Sequence, residues 1–244
     1  MVELLGESPG DVLEIGPGPG GLTLTLLEAG YRVWSIELDT RWARFLQETW
    51  APQFAQHLTV IEGDALLLDW GSILGHLRRV DIVGNLPYYI TAPLLAKLMD
   101  TTLVWHRAVV MVQQEVAHRL VTEPGHRLAN ALGVMLRYNM DIHGGFGVNR
   151  EHFHPIPEID SAVVKLTRRD PLPVDREAFS WVVHAGFGHR RKMLRQALSQ
   201  ASGSPYSARE WEARMMTAGL RPTARAEALT IEEWVELARL LQMR

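Results

Sequence analysis

DVLEIGPGPGGLTLTLLEAGYRVWSIELD, residues 11–39, holds an apolar run, a glycine-rich turn, a helical pattern and a second apolar run. Residues 11–16 predict a strand, 21–30 a helix and 31–39 a second strand. The alternation continues outward. TRWARFLQETWA (40–51) predicts a helix opened by Thr40 as its cap, LTVIEGD (58–64) and RVDIVGN (79–85) predict strands, TAPLLAKLMD (91–100) a helix and HRAVVMVQ (106–113) a fifth strand. Near-continuously apolar strands separated by helices imply a parallel sheet covered on both faces. Residues 127–139 read as helical, and 140–149 and 160–170 as two more strands, an antiparallel pair at the sheet edge. The prolines of DPLPVD (170–175) mark a boundary, after which only helical patterns follow. The expected fold is a doubly wound α/β domain over residues 1–170 and a small all-helical domain over 171–244.

Composition narrows the function classes. The 244 residues are 47% hydrophobic and 22% charged, the profile of an ordinary globular chain. With no cysteine, disulfide frameworks and thiolate metal sites are excluded. No apolar stretch approaches the roughly 20 residues of a membrane span, and Met1 to Pro9 is no signal peptide, so a soluble cytoplasmic protein is expected. Net charge is −3, which by itself argues against nucleic-acid binding, but it is unevenly spread. Residues 170–244 carry 11 Lys and Arg against 9 Asp and Glu, while the preceding 169 carry 14 against 19.

In a doubly wound sheet, ligands bind beyond the carboxyl ends of the strands, where strand order reverses. The four strand ends read EIGPGPGG (14–21), IELD (36–39), EGDAL (62–66) and GNLPYY (84–89). Gly16, Gly18, Gly20 and Gly21 let the backbone pass close to a ligand and start a helix there. Glu37, at the end of the second strand, can accept both hydroxyls of a ribose. A dinucleotide site would use the same features, and a merely solvated glutamate also fits. Asp64 can accept a hydrogen bond from an adenine amine, with Ala65 and Leu66 as an apolar edge. Glycine turn, ribose acid and adenine acid on three successive strands suit S-adenosylmethionine, which lacks the pyrophosphate of a dinucleotide.

The fourth strand end carries the chemistry. The exocyclic nitrogen of adenine is a poor nucleophile because its lone pair is delocalised into the ring. Fixed oxygens accepting both its N–H bonds favour a pyramidal nitrogen whose lone pair is free to attack. The Asn85 side chain offers one oxygen and the Leu86 carbonyl another. Pro87 holds Leu86 extended and lacks an N–H of its own. Tyr88 gives a flat face on which an extruded base can stack. Such catalysis is orientational and electrostatic, with no metal required.

These motifs, together with FHPIPEIDSAVVKL (153–166) and AGFGHRRKMLRQAL (185–198), resemble those of the ribosomal RNA adenine N6-dimethyltransferases, in the right order and across nearly the whole chain. The small-subunit, KsgA-like branch fits best. The large-subunit branch associated with antibiotic resistance typically reads NIPY and lacks an obvious RRKMLRQAL. The resemblance implies a Rossmann-like methyltransferase domain and dimethylation of two adjacent adenosines in a hairpin loop near the 3′ end of small-subunit ribosomal RNA. It implies that Gly16, Gly18, Glu37, Leu38, Asp64, Ala65 and Asn85 contact S-adenosylmethionine. Asn85, Leu86, Pro87 and Tyr88 would hold the adenine, with Phe153 packing on it from the side opposite Tyr88. The immature small subunit is the expected partner and a monomer the expected state. Family members open with a basic stretch and a GQNFL-like segment over the methionine end of the cofactor. Nothing resembling it precedes residue 11, so weak cofactor binding is expected.

HRRKMLRQALSQ (189–200) predicts a helix with Met193, Leu194, Ala197, Leu198 and Ala201 on one apolar stripe. Arg190, Arg191, Lys192 and Arg195 crowd its first turns, where cations oppose the helix dipole. Contact with RNA phosphates is the better reason for them, a solvated face the plainer one. Arg150, Arg168 and Arg169 extend the track. His143, His152 and His154 lack carboxylate or cysteine partners at ligand spacing, so no metal is expected. The eight tryptophans, Trp42 and Trp50 among them, read as packing residues. A nicotinamide dehydrogenase would leave NLPY and the basic segment without a role. A non-catalytic ribosome-assembly factor of the same fold is the binding-module alternative.

Overall fold

In the computed structural model, which describes residues 1–6, 8–189 and 191–242, the apolar run after Asp11 becomes the middle of a sheet. The elements in chain order are β1 (Asp11–Ile15), α1 (Gly21–Glu28), β2 (Arg32–Glu37), α2 (Thr40–Thr49), β3 (Leu58–Glu62), α3 (Trp70–Leu74), β4 (Val80–Asn85), α4 (Thr91–Asp100) and β5 (Trp105–Gln113). There follow α5 (Gln114–Val121), α6 (Ala131–Leu136), β6 (Met140–Val148), β7 (Ser161–Arg168), α7 (Arg176–Gly188), α8 (Leu194–Gln200), α9 (Ala208–Thr217) and α10 (Ile231–Gln242). The seven strands lie in the order β3-β2-β1-β4-β5-β7-β6. The first five are parallel, and β7 runs antiparallel to β5.

Strand order reverses between β1 and β4, where Ile15 lies opposite Ile36 on one side and Gly84 on the other. A β-carbon at Gly84 would come within 2.9 Å of the Ile15 carbonyl oxygen. The glycine is there because two backbones meet. Val12, Leu13, Ile82, Val83, Ala108 and Val109 are wholly buried, so the central strands are covered on both faces.

Several local expectations are corrected. The cap of α2 is Asp39, whose carboxylate accepts the Arg41 N–H at 2.9 Å; the Thr40 hydroxyl instead donates to Glu62 on β3 at 2.8 Å. The helix expected over 127–139 is confined to α6, because the Asn130 side chain caps it by accepting the Gly133 N–H at 2.8 Å. α3 and α5 carried no pattern long enough to be read.

The chain forms two compact units, residues 1–117 with 141–168, and residues 118–140 with 169–244. In the second, Arg137 is 6% exposed and donates to the carbonyls of Leu120, Val121 and Gly133. The Tyr138 hydroxyl donates to the Val174 carbonyl at 2.9 Å, and the backbone N–H groups of Arg169 and Leu172 donate to the carbonyls of Asn139 and Tyr138. The proline-marked stretch is therefore laid against residues 138–139. Phe179, Leu194, Leu198, Trp211 and Trp234 fill the helical core, with Phe187 stacked on Trp234 at 5.6 Å.

Gly84→Ala is expected to destabilise the chain by about 1–3 kcal/mol through overpacking against Ile15. Chemical denaturation followed by circular dichroism measures it; an unchanged midpoint would contradict the close approach.

Candidate active site

The carboxyl ends of β1 to β4 surround a cleft of about 440 Å³, lined among others by Gly16, Glu37, Leu38, Asp64, Ala65 and Pro87. Residues chosen from four separate motifs thus share one cavity. Gly16 and Gly18 have φ of +67° and +54°, and a β-carbon at either would meet nothing within 4 Å. The turn needs the left-handed conformation, and the space beside it is open to a ligand.

Backbone bonds stitch the strand ends into one rim. The Gly16 N–H donates to the Ile36 carbonyl at 2.9 Å and the Gly63 N–H to the Glu37 carbonyl at 2.8 Å. The Glu37 carboxylate, 7% exposed, accepts the Gly18 N–H at 2.9 Å and the Asp39 N–H at 2.8 Å. Each of its oxygens retains a lone pair, so the carboxylate can still receive two ribose hydroxyls. Open space at the glycines and this spare acceptor capacity fit S-adenosylmethionine.

Glu14 was not singled out from sequence, although a glutamate inside an apolar strand was the available signal. It is 1% exposed and accepts the hydroxyls of Thr23 on α1 at 2.7 Å and Ser35 on β2 at 2.9 Å. Burial pushes its carboxyl up to about 7, and the nearby Glu37 charge adds to the rise.

The loop after β3 is held from two sides. The Asp64 carboxylate accepts the Leu66 N–H at 2.7 Å, and the Trp70 indole donates to the Ala65 carbonyl at 3.0 Å. Lys97 on α4 donates to the carbonyls of Leu66 at 2.7 Å and Leu68 at 2.6 Å, with its ammonium 5.0 Å from the Trp70 ring centre. Burial lowers its pKa. A lone lysine on an amphipathic helix gave no hint of this. α4 starts at Thr91, just past the fourth motif, so the lysine that staples the Asp64 loop sits on the helix that follows that motif.

At the end of β4, Asn85 is exposed, and its carboxamide has no hydrogen-bond partner among the described residues. Leu86 is buried and donates its N–H to the Met111 carbonyl at 3.1 Å. Pro87 is extended, with φ −55° and ψ 133°. The Tyr88 hydroxyl lies 3.0 Å from that of Ser161, which is 1% exposed at the start of β7. Ser161 was unforeseen because only the fold brings it to Tyr88. Tyr89 is 77% exposed beside the cleft. Phe153 packs against the apolar cluster containing Val83, Val109, Met111 and Val163, and no ring contact joins it to Tyr88 among the described residues.

The basic segment differs from expectation. Arg190 lies outside the described residues. α8 begins only at Leu194, with Met193 at its cap, so Arg191 and Lys192 precede the helix in a turn closed by the Lys192 N–H donating to the His189 carbonyl at 2.8 Å. Lys192 is bonded to Gln200, and Arg195 is ion-paired with Glu212. Leu194, Ala197 and Leu198 are buried as the stripe required, whereas Met193 is 39% exposed. Among the described residues no group of three or more His, Asp or Glu is placed to hold a metal. No described helix is long and apolar enough to cross a membrane.

Comparison with known proteins gives the same picture. The family model "Ribosomal RNA adenine dimethylase" matches residues 6–243. The ribosomal RNA small subunit methyltransferase A of Acidothermus cellulolyticus is 42% identical over 231 residues, covering 93% of this chain and 77% of that protein. Its namesake in Chelativorans is 40% identical, covering 93% and 82%. Among solved structures, the 23S rRNA methyltransferase ErmE superposes with a TM-score of 0.73 at 26% identity, covering 96% of this chain and 92% of that one. A dimethyladenosine transferase from Plasmodium falciparum has a TM-score of 0.78 at 23% identity, with coverages of 97% and 90%.

Two outcomes follow from this geometry. Because the folded state holds the Glu14 proton to a higher pH than the unfolded chain, its contribution to stability is complete below pH 4.5 and is lost as pH rises through about 7. Glu14→Gln should therefore gain stability relative to the parent by about 3 kcal/mol between acid and mildly alkaline pH; thermal unfolding across pH reads this, and a flat difference contradicts it. Lys97→Met should weaken S-adenosylmethionine binding about tenfold, a loss of roughly 1.4 kcal/mol, with Lys97→Arg partly restoring it. Calorimetric titration measures both, and parental affinity in the Met variant would refute the staple.

Proposed function

From the premise that this chain belongs to the ribosomal RNA adenine dimethylase family, we infer that it transfers methyl groups from S-adenosylmethionine to N6 of adenosines in small-subunit ribosomal RNA. The relatives named small subunit methyltransferase A support that substrate, being 40–42% identical over almost the whole chain. The large-subunit enzyme ErmE is more distant at 26%. Within the small-subunit RNA, the reading extends to two adjacent adenosines of a hairpin loop near the 3′ end, on an immature subunit, by a cytoplasmic monomer.

The observation that carries the reading is the Asn85 carboxamide at the end of β4, without a hydrogen-bond partner among the described residues, followed by extended Pro87 at the rim of the cleft. Bound S-adenosylmethionine supplies an electrophilic methyl group on a sulfonium. Gly16 and Gly18 leave room for it, Glu37 receives its ribose hydroxyls, and Asp64 with Ala65 and Leu38 flanks its adenine. The Asn85 side-chain oxygen and the Leu86 carbonyl accept the two N–H bonds of the target amine, which turns the nitrogen lone pair away from the ring. Neither oxygen must reorganise when charge develops on that nitrogen. Tyr88, fixed through Ser161, offers the stacking face, and Phe153 is assigned to the other side of the base. A monomethylated adenosine keeps one N–H, so the second transfer relies on a single acceptor. Residues Arg190, Arg191, Lys192 and Arg195 are assigned to RNA phosphates; Arg195 also serves Glu212, which makes Arg191 and Lys192 the stronger candidates of those described.

Incubating under-methylated small subunits with the protein and S-adenosylmethionine should yield N6,N6-dimethyladenosine by mass spectrometry, and large subunits should yield none. Asn85→Ala should lower the single-turnover rate by about a hundredfold or more, the scale of losing a fixed transition-state hydrogen bond. A rate unaffected by that change would sink the mechanism.

A further inference from the structure

At the opposite end of the sheet from the cleft, where β1, β2, β4 and β5 begin, lies a second recess of about 610 Å³. Four arginines line it, Arg32, Arg78, Arg79 and Arg107, against the two carboxylates of Asp11 and Asp81 among the described residues. Two arginines are neutralised locally. Arg32 pairs with Asp11 at 2.6 Å and Arg107 with Asp81 at 3.3 Å. Among the described residues the other two are not: Arg78 is exposed, and Arg79, also exposed, donates to a ring nitrogen of His106 at 2.8 Å. Burial lowers the pKa of His106, and the Arg79 and Arg107 charges lower it further, against the opposing pull of Asp81. The described lining is therefore net basic although residues 1–169 carry 14 basic against 19 acidic side chains.

Two exposed arginines, consecutive in sequence and both lining the recess, offer forked donors of the kind that match a phosphoryl oxyanion. We propose that this recess is a second anion site, which takes a phosphodiester of the ribosomal RNA backbone through Arg78 and Arg79. The assignment to RNA rests on the functional reading above. The anion chemistry does not, since a free phosphate or nucleotide presents the same group. The two arginines lie on the segment between α3 and β4, away from the cleft, so contact there would add to affinity and register without touching the transfer step.

The test is Arg78→Ser/Arg79→Ser in the full chain, with Arg78→Lys/Arg79→Lys as the charge-conserving control. Filter binding of naked small-subunit RNA across a salt series should show affinity about tenfold weaker in the Ser variant, and a log–log salt slope shallower by about one. Cofactor affinity and the rate at saturating RNA should be unchanged, and the Lys variant should stay near the parent. Equal affinity and slope in parent and Ser variant would overturn the proposal. So would a thermal shift by inorganic phosphate or adenosine monophosphate that disappears in the Ser variant while RNA affinity does not, since the site would then serve a free anion. Binding needs no turnover. A parent that binds but never methylates therefore counts against the functional reading and leaves this test intact.

Discussion

The pairing of β1 with β4 is the constraint on which the rest of the molecule depends. Both strands run the same way, but the chain leaves β1 toward β2 and approaches β4 from the far side, so the loops beyond them diverge and a crevice opens. The two backbones come close enough at Ile15 and Gly84 that no side chain fits between them. Every residue of the cleft is placed relative to that contact. The Gly16 turn continues β1, Asn85 ends β4, and Glu37 and Asp64 are fixed by rungs that run on from β2 and β3.

Rigid acceptors are the common chemistry of this crevice. Glu37 is held by two amide donors, the Asp64 loop by Trp70 and Lys97, and Tyr88 by Ser161. Beneath them lies Glu14, a carboxyl kept partly neutral by burial and supplied with two hydroxyl donors. A second full negative charge next to Glu37 would work against the compact floor. Reorganisation is removed before a substrate arrives, which is how such a site accelerates a displacement in which sulfonium leaves as a neutral thioether and the methylated nitrogen gives up one proton.

The sheet was readable from the chain because its signals are local: apolar runs of strand length, glycine turns and intervening amphipathic stretches. The cleft residues followed from topology, since a ligand site beyond strand ends reduces the search to four short motifs. What escaped depended on distance. Ser161 reaches Tyr88 across 73 positions of sequence, and Lys97 reaches Leu66 across 31. Capping was misjudged where two candidates stood side by side: Asp39, a full carboxylate, took the role expected of Thr40. The start of α8 was set too early because Met193 belongs to the apolar pattern yet sits extended at the cap.

The helical unit is drawn from two separated stretches, 118–140 and 169–244. The 118–140 stretch is its earliest part to be synthesised, and α10, which packs on α7, is the last. During translation the first stretch must wait, its Tyr138 phenol without the Val174 carbonyl and the Phe179 ring it meets in the fold, while β6 and β7 are made. Cutting the gene at the proline-marked boundary would strand the Tyr138 side chain on the wrong fragment. A clone beginning at residue 171 would lack the wall against which Phe179 rests, and dissection of this protein into independent halves calls for a fused 118–140 segment.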